Sequence, residues 1–177
     1  MSQRTIAVVE YDPRWPKSFE TENSLLSQKL GKVALRIHHI GSTAVPGLAA
    51  KPIIDILVEV TSLEELDLLN EEMTALGYEP RGEYGIPGRR YFEKGGDSRT
   101  HHIHAFRSGD FNVTRYIAFR DYLTRNPEVA RDYAELKKTV AGTCANDIER
   151  YCEGKDAYVK RLEAKAIQEM APDNSPL

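Results

Sequence analysis

The apolar positions between Asp12 and Gly31 recur at helical spacing. Trp15, Phe19, Leu26 and Leu30 form one stripe, with Asp12 as the expected N-cap, Pro13 at the first helical position and Gly31 as the stop. The period then shortens. Val33 to Ile40 reads as a strand, and Ile53 to Val60 as a second, apolar almost throughout as a strand covered on both faces would be. Ser62 with Glu65 makes a capping box for a helix ending near Gly77, with Leu63, Leu66, Leu69, Met73 and Leu76 as its buried stripe.

Tyr78 to Arg81, Arg89 to Glu93 and His101 to Phe106 read as three more strands, punctuated by glycines. From Phe111 the pattern is helical. Asn126-Pro127 caps a helix to about Ala141, and Asn146 with Glu149 resembles a further capping box. This order predicts an α+β fold: a mixed β-sheet with helices on one face and a C-terminal helical lobe. Residues 1–170 form a single expected domain, and residues 171–177 an expected disordered tail.

Composition narrows the function classes. The 177 residues are 41% hydrophobic and 29% charged, ordinary for a globular protein. A net charge of −3 lacks the basic footprint of a nucleic-acid binder, so a small molecule or a protein is the expected partner. No stretch approaches a membrane span, and the first residues lack the apolar core of a signal peptide. Cys144 and Cys152 fit no zinc spacing and suggest reduced thiols in a cytoplasmic protein.

The candidate chemistry lies between the first two strands. Gly41 lets the backbone approach an anion, and Ser42 adds a hydroxyl and an N–H beside it. Asp55 sits inside an apolar strand, where a carboxylate is costly unless something pairs with it. A phosphate cradle near an acid able to hold a divalent cation is what phosphoryl or nucleotidyl transfer needs. A tight turn without ligand, and an Asp55 that only pairs with Lys51, are the plainer readings.

Gly-Ser, then twelve residues, then an acid in an apolar strand resembles the signature of the nucleotidyltransferase superfamily. The fuller string HIGSTAVPGLAAKPIIDI, from His39 to Ile56, is similar to the GrpB family. So are Pro87 to Phe92, His102-Ile103-His104, Phe119 to Leu123 and Asn126-Pro127-Glu128. The likeness runs from about Val9 to about Leu162. It implies a nucleotidyltransferase-like fold, a nucleotide or related phosphorylated small molecule as ligand, and nucleotidyl transfer to a small acceptor as the reaction. Similar domains fused to dephospho-CoA kinases point to nucleotide or coenzyme metabolism.

One position departs from the superfamily pattern. A second acid is expected two residues after Asp55, on the same strand face, and Leu57 stands there. Glu59 shares the face but lies about 13 Å along the strand. His102 and His104 alternate on one face, about 7 Å apart, and are the expected replacements, with His101 on the other face. Asp55, His102 and His104 are thus the expected ligands of a divalent metal (magnesium, manganese or zinc), and Asp55 and His104 the expected catalytic pair. Gly41, Ser42, Lys51, Arg90 and Lys94 are the expected phosphate contacts. His39 is expected to fix the turn by hydrogen bonding. Two rivals stay open: a module that binds nucleotide or coenzyme without turnover, and a metal hydrolase using Asp55 and the two histidines.

Overall fold

The computed structural model describes residues 5–170. Helix α1 (Trp15–Leu30) leads into β1 (Ala34–Ile40). The Gly41-Ser42 turn and an irregular connector then reach β2 (Ile54–Val60). Two short helices, α2 (Leu63–Asp67) and α3 (Asn70–Ala75), precede β3 (Tyr78–Pro80), β4 (Arg89–Lys94) and β5 (His101–Arg107). Helices α4 (Phe111–Arg125), α5 (Pro127–Thr143) and α6 (Ile148–Met170) complete the described chain. The sheet order is β1-β2-β5-β4-β3, with β2 and β5 parallel and the other neighbours antiparallel. The α+β class, the mixed sheet and the C-terminal helical lobe are all present.

Strand alternation divides the chemistry between two faces. Ile54, Ile56, Val58 and Val60 of β2 join Phe92, Ile103 and Ala105 under α1, α2 and α3. Trp15, Phe19, Leu26 and Leu30 meet them from α1, and Leu66 and Met73 from α2 and α3. Truncating a fully buried member such as Leu26 to alanine costs about 2–5 kcal/mol. On the opposite face, Leu57 and Phe106 pack with Ile40 and with Val113 of α4. Asp55 and His102 lie on neighbouring interior strands of the sheet, β2 and β5.

The C-terminal lobe pins the connector. Val45, Leu48 and Ala49 are buried against Ala118, Tyr122, Tyr133 and Leu162. Val9 and Ala50 exchange two backbone hydrogen bonds of 2.9 Å. The turn after β1 is therefore clamped between sheet and lobe rather than left as a loose loop.

Four local expectations are corrected. Helix α1 begins at Trp15, not at Pro13, because Asp12 closes a turn on itself: its carboxylate accepts from the Arg14 N–H at 2.9 Å. The segment after Ser62 breaks at Leu68-Leu69 into two helices, although its whole apolar stripe still faces the core. Asn126 does not cap α5; its side-chain amide donates to the Tyr122 carbonyl and closes α4. Asn146 accepts from the Ile6 N–H, and Asp147 caps α6 instead, accepting from Glu149 and Arg150. The expected tail 171–177 lies outside the described residues. Among those described, no helix is long and apolar enough to cross a membrane.

Candidate functional site

The site is built around the turn at the end of β1. Gly41 has φ +72°, a conformation that side chains rarely adopt, and a Cβ there would lie 2.8 Å from Asp55 Oδ2. Glycine is thus what lets the turn close over the carboxylate. His39 fixes the far side. Thr43 Oγ1 donates to the Ile53 carbonyl, so it accepts from His39 Nε2 at 2.9 Å. Burial pushes His39 down to about 4, and its ring stacks on Phe19 at 4.9 Å. A neutral imidazole held this way serves the turn.

Asp55 stands opposite His102 in the parallel β2–β5 ladder. His102 Nδ1 lies 3.3 Å from Asp55 Oδ1, and His104 Nε2 lies 3.4 Å from the same oxygen. Burial raises the Asp55 pKa, but hydrogen bonds from His102 and His104 overcome it and hold the carboxyl well below the usual range. Asp55 is therefore ionised across the neutral range. His101 turns to the opposite face, beside Tyr78 and Glu22. The structure thus brings Asp55, His102 and His104 together and keeps His101 away.

The tautomer of His104 follows from its neighbours. Its Nδ1 faces Arg89 Nη1 at 3.3 Å and the Tyr116 hydroxyl at 3.4 Å. A guanidinium can only donate, so Nδ1 carries the lone pair and Nε2 carries the proton toward Asp55. Burial pushes the His104 pKa down despite the pull of Asp55, which keeps one proton on the ring.

The metal expectation is tested on these contacts. A protonated Nε2 cannot ligate, and the second-acid position is Leu57, sealed under α4. A further acid that lines the cavity is Glu93, across the β4–β5 ladder from His102. Its carboxylate is held by Arg81 and by Arg99. Among the described residues, no three histidine, cysteine, aspartate or glutamate side chains are arranged to hold a metal ion. The residues as they stand do not fit a resident divalent cation.

Arg90 and Lys94 are corrected. The β4–β5 register puts Arg89, Tyr91 and Glu93 on the Asp55 face and Arg90, Phe92 and Lys94 on the helix-covered face. Arg90 is paired with Asp67 at 2.8 Å, and Lys94 with Glu22 at 2.9 Å. Neither lines the cavity beside Asp55.

That cavity, of about 470 Å³, is lined by Gly41, Ser42 and Asp55 and by three lysines from separate segments. Lys51 comes from the connector, Lys137 from α5 and Lys155 from α6. Lys51 and Lys155 stand over the Tyr151 ring at 4.8 and 5.4 Å, and Lys137 over Tyr133 at 4.6 Å. Lys137 also donates to the Ala49 carbonyl at 2.5 Å. Burial, and then the charges of Lys155 and Lys51, push Lys137 down to about 7. Lys137 and Lys155 were missed in the sequence. The signal for both was Tyr-Xaa-Xaa-Xaa-Lys, at Tyr133–Lys137 and Tyr151–Lys155, a spacing that puts ring and ammonium on one helix face.

The family model described as "GrpB protein" matches residues 5–165. UPF0157 protein YqkA of Bacillus subtilis is 44% identical over 93% of this chain. The chain spans 48% of that relative's length. The crystal structure of conserved protein GrpB from Enterococcus faecalis is 45% identical, with a TM-score of 0.89, covering 92% of this chain and 98% of that one. A dephospho-CoA kinase of Mycolicibacterium paratuberculosis is 28% identical over 94% of this chain and 47% of its own length.

Proposed function

The chain belongs to the GrpB family, and from that premise we propose that its Asp55 cavity binds the phosphates of a nucleotide. The observation that carries this reading is the gathering of Lys51, Lys137 and Lys155 in one cavity with the Gly41-Ser42 turn. Burial, and after it the charges of Lys155 and Lys51, depress Lys137 beside the two tyrosine rings. A polyanion reverses the charge effect, as two or three linked phosphates would. The turn supplies backbone N–H groups at close approach, and the resemblance to nucleotidyltransferases gives the nucleotide as the class of ligand. Asp55 and the two histidines line the same cavity and would stand beside the phosphates.

The test is thermal denaturation and titration calorimetry with the magnesium salts of ATP, GTP, CTP and UTP, with dephospho-CoA, and with inorganic tripolyphosphate. A ligand at about 100 times its Kd contributes about 2.7 kcal/mol, or roughly 5–10 °C in Tm for a chain of this size. Stabilisation by at least one nucleotide, lost in Lys137→Met and Lys155→Met, is the expected result. Stabilisation by dephospho-CoA alone would place the ligand among coenzyme precursors. Failure of every probe would overturn the reading.

A further inference from the structure

We infer that His102, oriented by Asp55, is a general base that deprotonates an acceptor hydroxyl beside the bound phosphates. The inference rests on the nucleotide-binding reading and makes the site catalytic rather than only a binding site.

Asp55 is an ionised carboxylate and can only accept, so the Asp55 Oδ1 lying 3.3 Å from His102 Nδ1 favours the proton on that nitrogen. In the neutral ring, Nε2 then carries the lone pair. That nitrogen is buried and has no hydrogen-bond partner among the described residues. A buried acceptor left unpaired is unfavourable unless a ligand completes it. His102 lines the cavity that also holds Gly41, Ser42 and the three lysines. Its ring is packed against Tyr91 at 5.5 Å between centroids, which limits its rotation.

The two histidines are therefore not equivalent. His104 has both nitrogens engaged, by Asp55 on one side and by Arg89 and Tyr116 on the other. It completes the Asp55 environment and has no open lone pair. His102 has one nitrogen facing Asp55 and one buried without a hydrogen-bond partner among the described residues. A carboxylate on Nδ1–H with an open Nε2 is the arrangement that activates hydroxyl nucleophiles in unrelated folds. The expected catalytic pair of Asp55 and His104 is thus replaced by Asp55 and His102.

The acceptor O–H gives its proton to His102 Nε2, and its oxygen bonds to the α-phosphorus. The bond from that phosphorus to the bridging oxygen of the β-phosphate breaks. Pyrophosphate leaves with the electron pair, its charge met by the lysines. The imidazolium then returns its proton to solvent. With water as acceptor, the products are nucleoside monophosphate and pyrophosphate.

The experiment measures pyrophosphate release from the magnesium salts of the four ribonucleoside triphosphates, with glycerol or water as acceptor, alongside calorimetric binding. His102→Ala should keep triphosphate affinity within about threefold and lose at least about 100-fold in release. Added imidazole should restore part of that rate, which a merely structural role would not allow. Long-range proton–nitrogen NMR on the wild type should report the Nδ1–H tautomer for His102 and Nε2–H for His104. Unchanged release in His102→Ala, lost release without imidazole rescue, or an Nε2–H tautomer at His102 would each overturn the inference. Triphosphate binding without wild-type pyrophosphate release would overturn it and leave the binding reading standing. Absence of triphosphate binding would overturn both.

Discussion

Gly41 and Asp55 leave no room for a methyl group between them: a Cβ at position 41 would lie 2.8 Å from Asp55 Oδ2 and 3.2 Å from its Cβ. The contact couples the turn to the carboxylate, so neither can shift without the other. Gly41→Ala adds the clash to the strain of φ +72°. The expected result is a loss of about 1–3 kcal/mol in stability, with at least about a tenfold weaker affinity for the bound triphosphate. Urea denaturation and calorimetry measure the two effects. Full affinity in the folded variant would show that the turn does not touch the ligand.

Lys137 makes binding and stability depend on pH. Its folded value of about 7 lies below that of an unfolded lysine, so the unfolded chain holds more protons between those values. Stability therefore rises as pH climbs through 7 toward the unfolded lysine value, and its penalty is fully present below 7. Phosphate binding pulls the group back up. Calorimetry at pH 8 in buffers of differing ionisation enthalpy should show uptake of up to about one proton per site. Lys137→Met should abolish the uptake and weaken binding about 10- to 100-fold. Asp55 is ionised throughout this range and does not contribute.

Much of this was legible in the sequence. Parity alone put His102 and His104 on one strand face, and the spacing after Gly41-Ser42 pointed to Asp55. Strand β4 was not legible in the same way. Arg89-Arg90-Tyr91-Phe92-Glu93-Lys94 offers a polar and an aromatic residue to either face, so alternation cannot choose between them. Only the pairing of Glu93 with His102 settles it. The lysines of α5 and α6 were hidden for another reason. They lie more than 80 residues from Asp55, and only the packing of the helical lobe on the connector brings them to it.

Arg90 provides the matching control. Its guanidinium holds Asp67 at 2.8 Å on the face covered by α2. Arg90→Ala should leave triphosphate affinity within about twofold and lower stability by at most about 1 kcal/mol, the range of partly exposed pairs. A large loss of affinity, measured by the same titration, would mean that the phosphates reach the other face of the sheet.

Leu57 shows what became of the missing acid. It shares the Asp55 face, but it is fully buried with Ile40, Phe106 and Val113 and does not line the cavity. Leu57→Asp therefore places a carboxylate in an apolar seal instead of restoring a metal ligand. The expected loss is about 3–5 kcal/mol at pH 7, near that of a lone buried charge. Burial raises the folded pKa of the new carboxyl, so this extra penalty is absent below the unfolded value near 4 and grows as pH rises above it. Urea midpoints at pH 4 and pH 7, with Leu57→Ala as reference for the lost packing, separate the two parts. If the aspartate variant lost no more between pH 4 and pH 7 than the alanine variant, its carboxylate would be solvated. Position 57 would then open onto the cavity, and a cation site shared with Asp55 would return to consideration.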